Sequence, residues 1–251
     1  MKLERADNHL HTLENMIQGF IDSESREIVP DLDPESGYYI FRVKWHNSPP
    51  VECGVVLGDL LFNLRSALDQ IVFALSAQAG PIPNERLPAF PIHVTPGDFK
   101  KNGLKRIRLV ERNASAFIER VQPYHAANPA QHSLAVLDHL HERDKHRLLH
   151  VVSMALIRRH LIFKGIAAQR YWDASSVRWA IGPFINGAEV VRIRPRKPIP
   201  KPETYVDFDV ASDVCFDNTA GPLPEPRVVR AIWHIRDYVR GVVARLEPFL
   251  I

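Results

Sequence analysis

The run HSLAVLDHLHERDKHRLLHVV, His132 to Val152, gathers side chains of two useful kinds. Histidine titrates near neutrality and can take or give a proton, and arginine holds a fixed charge that can stabilise a phosphate or an oxyanion. Arg143, His146, Arg147 and His150 are therefore the candidate catalytic residues. A second combination, Asp138, Glu142, His146 and His150, repeats every four residues along a slowly drifting stripe, and adjacent members could share a zinc or manganese ion. HERDKH is not an H-E-x-x-H motif, because His141 and His146 are five residues apart and point away from each other. The stripe reads as a solvated charged face, so no metal and no cofactor is expected.

The third reading of the same residues is structural. LLFNLRSALDQIVFAL, Leu60 to Leu75, is apolar round most of its circumference yet carries Asn63, Arg65, Asp69 and Gln70. Arg65 and Asp69 are i,i+4 neighbours and can pair. In the 132–152 helix, Leu134, Leu137, Leu148 and Val151 mark a heptad-like seam in which His141 and Asp144 also fall. Asn63, Arg65, Asp69, Asp144 and Lys145 thus form an expected polar network between two core helices, with Arg65 as the basic partner of Asp144. Such a network specifies helix register more than it adds net stability.

The elements that must position these residues follow from periodicity. Leu3, Leu10, Leu13, Ile17, Phe20 and Ile21 predict an amphipathic first helix, and DPESG between REIVPDL and YYIFRVKW predicts a hairpin over about 26–46. A long helix spans about 55–78. The proline-rich stretch after Gly80 is a loop packed through Phe90, Ile92 and Phe99, and NASAFIERVQPY is a short helix with Asn113 as N-cap. The next helix runs from about 131 to 152. Strand periodicity then takes over, in LIFKGIAAQRYW, SSVRWAIGPFI, AEVVRIRP and TYVDFDVASDVCF, before a final helix at about 226–247 with Pro226 at N1. The expectation is a single α+β domain over 1–251: a helical part (about 1–155) that contains the hairpin, an antiparallel sheet (about 156–220) and a closing helix.

Bulk properties narrow the function. The chain has 45% hydrophobic and 24% charged residues, an ordinary globular balance, and no uninterrupted apolar run long enough to span a bilayer, so a cytoplasmic protein without membrane contact is expected. Cys53 and Cys215 have no CxxC spacing. Neither G-x-G-x-x-G nor a P-loop occurs, and no G-x-S-x-G elbow surrounds a serine. The net charge of +3 hides two basic runs, KKNGLKRIRLVER and RIRPRKPIPK, which make nucleic acid a candidate partner.

Within RDKHRLLH, the spacing of Arg143 and His150 resembles the R-x(4-6)-H motif of HEPN proteins. That resemblance implies a helical bundle in which arginine and histidine meet at a homodimer interface and cleave RNA without metal, and it covers one helix only. LGDLLFNLRSALDQIVFAL, FPI, IERVQPY and RDKHRLLH, in this order, are similar to a set of uncharacterised bacterial proteins, a likeness that spans most of the helical part and brings no mechanism. Two functions are expected accordingly: a binding or interaction protein whose polar network is structural, or a HEPN-like metal-independent ribonuclease.

Overall fold

A computed structural model describes residues 1–23, 26–145, 151–163, 168–180, 186–197, 206–217 and 223–250. The architecture is α+β, with the segregated helices and sheets that the order of periodicities dictates. Backbone contacts divide it into two units. One comprises Met1–Asn15, Val51–His150 and Phe216–Ile251; the other comprises Met16–Pro50 and Val151–Cys215.

The first unit is helical. Its centre is α2 (Glu52–Ala77), which buries Leu57, Leu60, Leu61, Leu64 and Leu68 completely. Each fully buried leucine is worth roughly 1.5–3 kcal/mol of apolar transfer, so this one stripe anchors the unit. Among the described residues α2 is the one helix with the length and hydropathy of a membrane span, and 56% of that window is buried inside the protein. Against it pack α6 (Ser133–Asp144), through Leu134, Leu137 and Leu140, and α8 (Val228–Leu246), through Ile232, Ile235, Val239 and Leu246. The first turns of α1 (Lys2–Ser23) add Ala6, Leu10 and Leu13. Between α2 and α6 lie two three-residue helical turns, α3 (Pro96–Asp98) and α4 (Leu104–Arg106), joined by a π-turn at Phe99–Gly103, and then α5 (Arg112–Arg120).

The second unit holds a four-stranded antiparallel sheet ordered β1 (Arg26–Leu32), β2 (Tyr39–Trp45), β5 (Glu189–Pro195), β4 (Trp172–Trp179). The β1–β2 turn is built by Asp33, whose Oδ1 accepts from the Glu35 amide at 3.2 Å, and by Gly37, whose φ of 69° suits a residue without Cβ. Phe41, Val43, Trp45, Trp172, Val190, Val191 and Ile193 form its core. A separate two-stranded sheet pairs β3 (Val151–Phe163) with β6 (Val206–Phe216).

Several expectations about element boundaries are corrected. The hairpin is not part of the helical body: β2 continues into β5, so its second edge finds backbone partners 150 residues away in sequence, a pairing that local periodicity does not encode. The helix expected to reach 152 stops at Asp144, and Val151 opens a strand. The β-branched pair Val151–Val152 favours extended backbone, and the heptad count that placed Val151 in a helical seam fails there. Ala168–Tyr171, expected in a strand, forms the short helix α7, in keeping with the helix propensity of Ala-Gln-Arg. Glu111, not Asn113, caps α5; its carboxylate accepts the amides of Asn113 and Ala114 at 2.9 and 3.1 Å. Pro226 lies outside α8, with its carbonyl accepting from the Phe216 amide at 2.9 Å, and Arg227 is the cap residue. In β4 the buried side chains are Trp172 and Ser176, whose hydroxyl accepts the Arg194 amide; Val177 and Trp179 are half-buried.

Candidate functional site

Arg65 lies on the side of α2 that faces the loop over residues 81–94. Its Nη2 donates to the Phe90 carbonyl at 2.7 Å, and Asp69, one turn on, accepts the Phe90 amide at 2.9 Å. The two side chains are themselves 3.2 Å apart, so a single i,i+4 pair satisfies both backbone groups of a fully buried residue. The next stretch of the loop is fixed from the opposite side. Gln122, only 1% exposed, donates to the Pro91 carbonyl at 2.8 Å and to the Ile118 carbonyl at 3.0 Å, while its Oε1 accepts the His93 amide at 3.1 Å. Side chains from α2 and from the end of α5 therefore hold four backbone groups of FPIH. His93 is held further by its ring contact with Phe99, and Gly103 lets the two rings close up: a Cβ there would lie 2.7 Å from the Phe99 ring.

Beside this clasp is a cavity of about 370 Å³, lined by Arg65, Asp69, residues 89–93, Arg106, Asp138, His141, Glu142 and Lys145. Asp138, one turn before Glu142 on α6, reaches Arg65 at 3.7 Å. Lys145 and Glu142 pair at 2.5 Å on the exposed side. Three nitrogens of the lining residues are buried and, among the described residues, have no hydrogen-bond partner: His93 Nε2, His141 Nδ1 and Arg65 Nη1, the last lying 3.7 Å from the Asp138 carboxylate. A native interior seldom leaves such groups unsatisfied unless something else fills the site.

Burial sets the protonation. It lowers the pKa of His93, against the opposing pull of Asp98 and with help from Arg106, and that of His141, with help from Lys145 and Arg65 and against Glu142 and Asp138, so both rings favour the neutral form at physiological pH. Burial also raises the Asp138 carboxyl above the ordinary carboxylate range, against the opposing pull of Arg65. The cavity thus presents a fixed guanidinium, two neutral imidazoles that can donate or accept, and a carboxyl displaced toward its protonated form. These are groups for polar recognition and proton exchange.

No family model, curated protein or solved structure matches the chain.

The sequence-derived candidates are divided by this geometry. Arg65, Asp69 and Lys145 meet at the cavity. Asn63 is buried elsewhere on α2, its Nδ2 donating to the Asp59 carbonyl at 2.7 Å. Arg143 is half-buried near the end of α6 and is not among the lining residues. His146, Arg147 and His150 lie outside the described residues. Of the metal stripe, Asp138 and Glu142 line the cavity, and His146 and His150 lie outside the described residues; among the described residues no cluster of three metal-ligating side chains occurs.

The Arg65–Asp144 pairing is corrected. Asp138 takes that place, because Asp144 is six residues further along α6, about 9 Å, and on another face. Asp144 instead packs its carboxylate on Gly58, where a Cβ would lie 2.5 Å from Oδ2, so glycine is what lets α2 and α6 approach. Its pKa is raised by burial and by the charge of Asp59.

A pKa raised in the folded state means that the folded protein keeps a proton the unfolded chain has released. That stability is present at low pH and is lost as pH rises through the folded value, so at neutral pH the ionised Asp144 is a net cost. Asp144→Asn is expected to raise the melting temperature by about 1–2 °C at neutral pH, with the gain disappearing near about pH 4. Thermal scans at the two pH values check it; a drop at neutral pH would mean that Asp144 has a stabilising ionic partner.

Sequence reasoning missed His93, Arg106 and Gln122. Nothing local marks Gln122, a glutamine between a valine and a proline; only its burial against the FPIH backbone gives it a role.

Proposed function

We propose that the helical unit binds a small polar molecule in the cavity between α2, α6 and the FPIH loop, and that the polar network has two halves with different duties. The Arg65–Asp69–Phe90 clasp and Gln122 are structural. They hold the wall in place before any ligand arrives, which is what lowers the entropic cost of binding. The other half, His93 and His141, has ring nitrogens without a hydrogen-bond partner among the described residues and supplies the recognition, beside the Arg65 guanidinium. His141 carries the reading: it is only 8% exposed, and among the described residues its Nδ1 has no hydrogen-bond partner. Leaving such a group unpaired costs roughly 1–3 kcal/mol, which a ligand atom in hydrogen-bond contact would offset. The volume falls in the range of small-molecule sites, and the lining is unusually polar for one.

The test is spectroscopic. Full-length protein, with labelled histidine, is titrated with single compounds from a set of sugars, amines, carboxylates and phosphate esters. A binder is expected to shift the ring resonances of His93 and His141 together and to raise the melting temperature with concentration. Binders that leave both rings unmoved, or no binder in the set, would overturn the reading. The ribonuclease reading pairs Arg143 with His150, which lies outside the described residues, and no observation here favours it over ligand binding.

A further inference from the structure

Arg106 belongs to two features at once. It lines the cavity, and it sits in the middle of KKNGLKRIRLVER, where Gly103, Ile107 and Val110, like Phe99 just before the run, turn inward. The inward spacing leaves Lys100, Lys101, Lys105, Arg106, Arg108 and Arg112 exposed. The carboxylates nearest in sequence are already engaged: Asp98 bonds the Thr95 hydroxyl at 2.6 Å, and Glu111 caps α5. Six cations against two carboxylates leave the segment that carries Arg106 strongly basic, while the cavity lining balances three cations (Arg65, Arg106, Lys145) against three carboxylates (Asp69, Asp138, Glu142). From this juxtaposition we infer that the ligand is a phosphate monoester whose phosphate rests at the mouth on Arg106, with Lys145 on the α6 side, and whose polar body reaches His93, His141 and Arg65.

This rests on the cavity being a ligand site and adds the ligand's class. A dianion gains about twice the Coulomb attraction of a carboxylate in the same field, and the arginine fork matches phosphate oxygens. Single-stranded nucleic acid fits the basic segment less well. Its binding sites place aromatic rings for the bases to stack on, and residues 100–112 contain no aromatic side chain.

The experiment titrates the full chain by calorimetry with glycerol 3-phosphate, ribose 5-phosphate and adenosine monophosphate. The unphosphorylated parent compounds, the carboxylate glycerate and a short single-stranded oligonucleotide serve as matched arms, and the histidine resonances are followed in parallel. At least one monoester is expected to bind roughly tenfold or more tightly than its parent and than glycerate, moving His93 and His141, and Arg106→Ala should remove most of that advantage without altering the melting temperature. Parents or glycerate that bind equally well and move the same histidines would overturn the phosphate while leaving the cavity reading intact. An oligonucleotide that binds without moving either histidine, with no monoester binding, would assign the basic segment to nucleic acid and overturn the proposal. If no compound moves a histidine, both readings fall.

Discussion

Arg65→Ala is expected to cost about 2–4 kcal/mol of stability in the helical unit. The mutation leaves the carbonyl of Phe90, a fully buried residue, without its donor, and it leaves Asp69 and Asp138 facing each other without the cation between them. The side chain of Arg65 is 13% exposed, whereas those of Asp69 and Asp138 are 37% and 39% exposed, so solvent screens part of the carboxylate repulsion and the estimate stays below that for a fully buried triad. Arg65→Lys keeps the charge and should recover less than half, because one ammonium cannot span a carbonyl and two carboxylates in the fork geometry. The measurements are the urea midpoint and hydrogen exchange of the α2 amides. Proteolysis in the 81–94 loop should also accelerate, since the clasp on Phe90 is what holds that loop to α2. A variant within about 0.5 kcal/mol of wild type would show that the clasp is decoration.

Gln122→Glu is the second large effect, and its sign depends on pH. Gln122 donates to two carbonyls and accepts one amide while almost completely buried. An ionised glutamate keeps the acceptor but turns a charged oxygen toward the Pro91 and Ile118 carbonyls, so the expected loss at neutral pH is about 3–5 kcal/mol. The carboxyl escapes by holding a proton, which raises its folded pKa above the unfolded value. Stability is therefore recovered as pH falls and lost as pH rises through that raised value. Gln122→Ala lacks this titration and should be pH-independent in its deficit. The check is a pair of denaturation series near neutrality and near about pH 4, with the His93 ring resonance as reporter. A Gln122→Glu variant as stable as wild type at neutral pH would mean that the 91–93 backbone is held by something else. Because His93 donates its amide to Gln122, the same variant should weaken any ligand that uses its ring.

Much of this was present in local pattern. The α+β class, the buried leucine face of α2, the Asp33–Gly37 turn and the role of Phe90 and Phe99 as anchors of the proline-rich loop all follow from spacing and turn chemistry, because each depends on residues within a few turns of one another. Burial of α2 all round, which its composition suggested, is not found: Val55, Phe62 and Phe73 are exposed. The Arg65–Asp69 pair was also legible, being an i,i+4 contact. Its purpose was not. What the pair does is hold Phe90, and a side chain that substitutes for a strand partner across 20 residues of loop has no local signature.

The strings LGDLLFNLRSALDQIVFAL, FPI, IERVQPY and RDK come together in the helical unit in a manner that order along the chain does not contain. Gly58 receives Asp144, Arg65 and Asp69 receive Phe90, and Gln122 receives Pro91 and His93. Whether Arg65 meets Asp144 or Asp138 turned on where α6 lies along α2, a matter of translation that helical periodicity leaves free. The identity of the groups was written in the sequence; which of them were satisfied by backbone and which were buried without a partner among the described residues was decided by packing. That is why Asp69 and Gln122 are engaged by loop backbone, while His93 and His141, ordinary histidines in the sequence, each keep a buried nitrogen without a hydrogen-bond partner among the described residues.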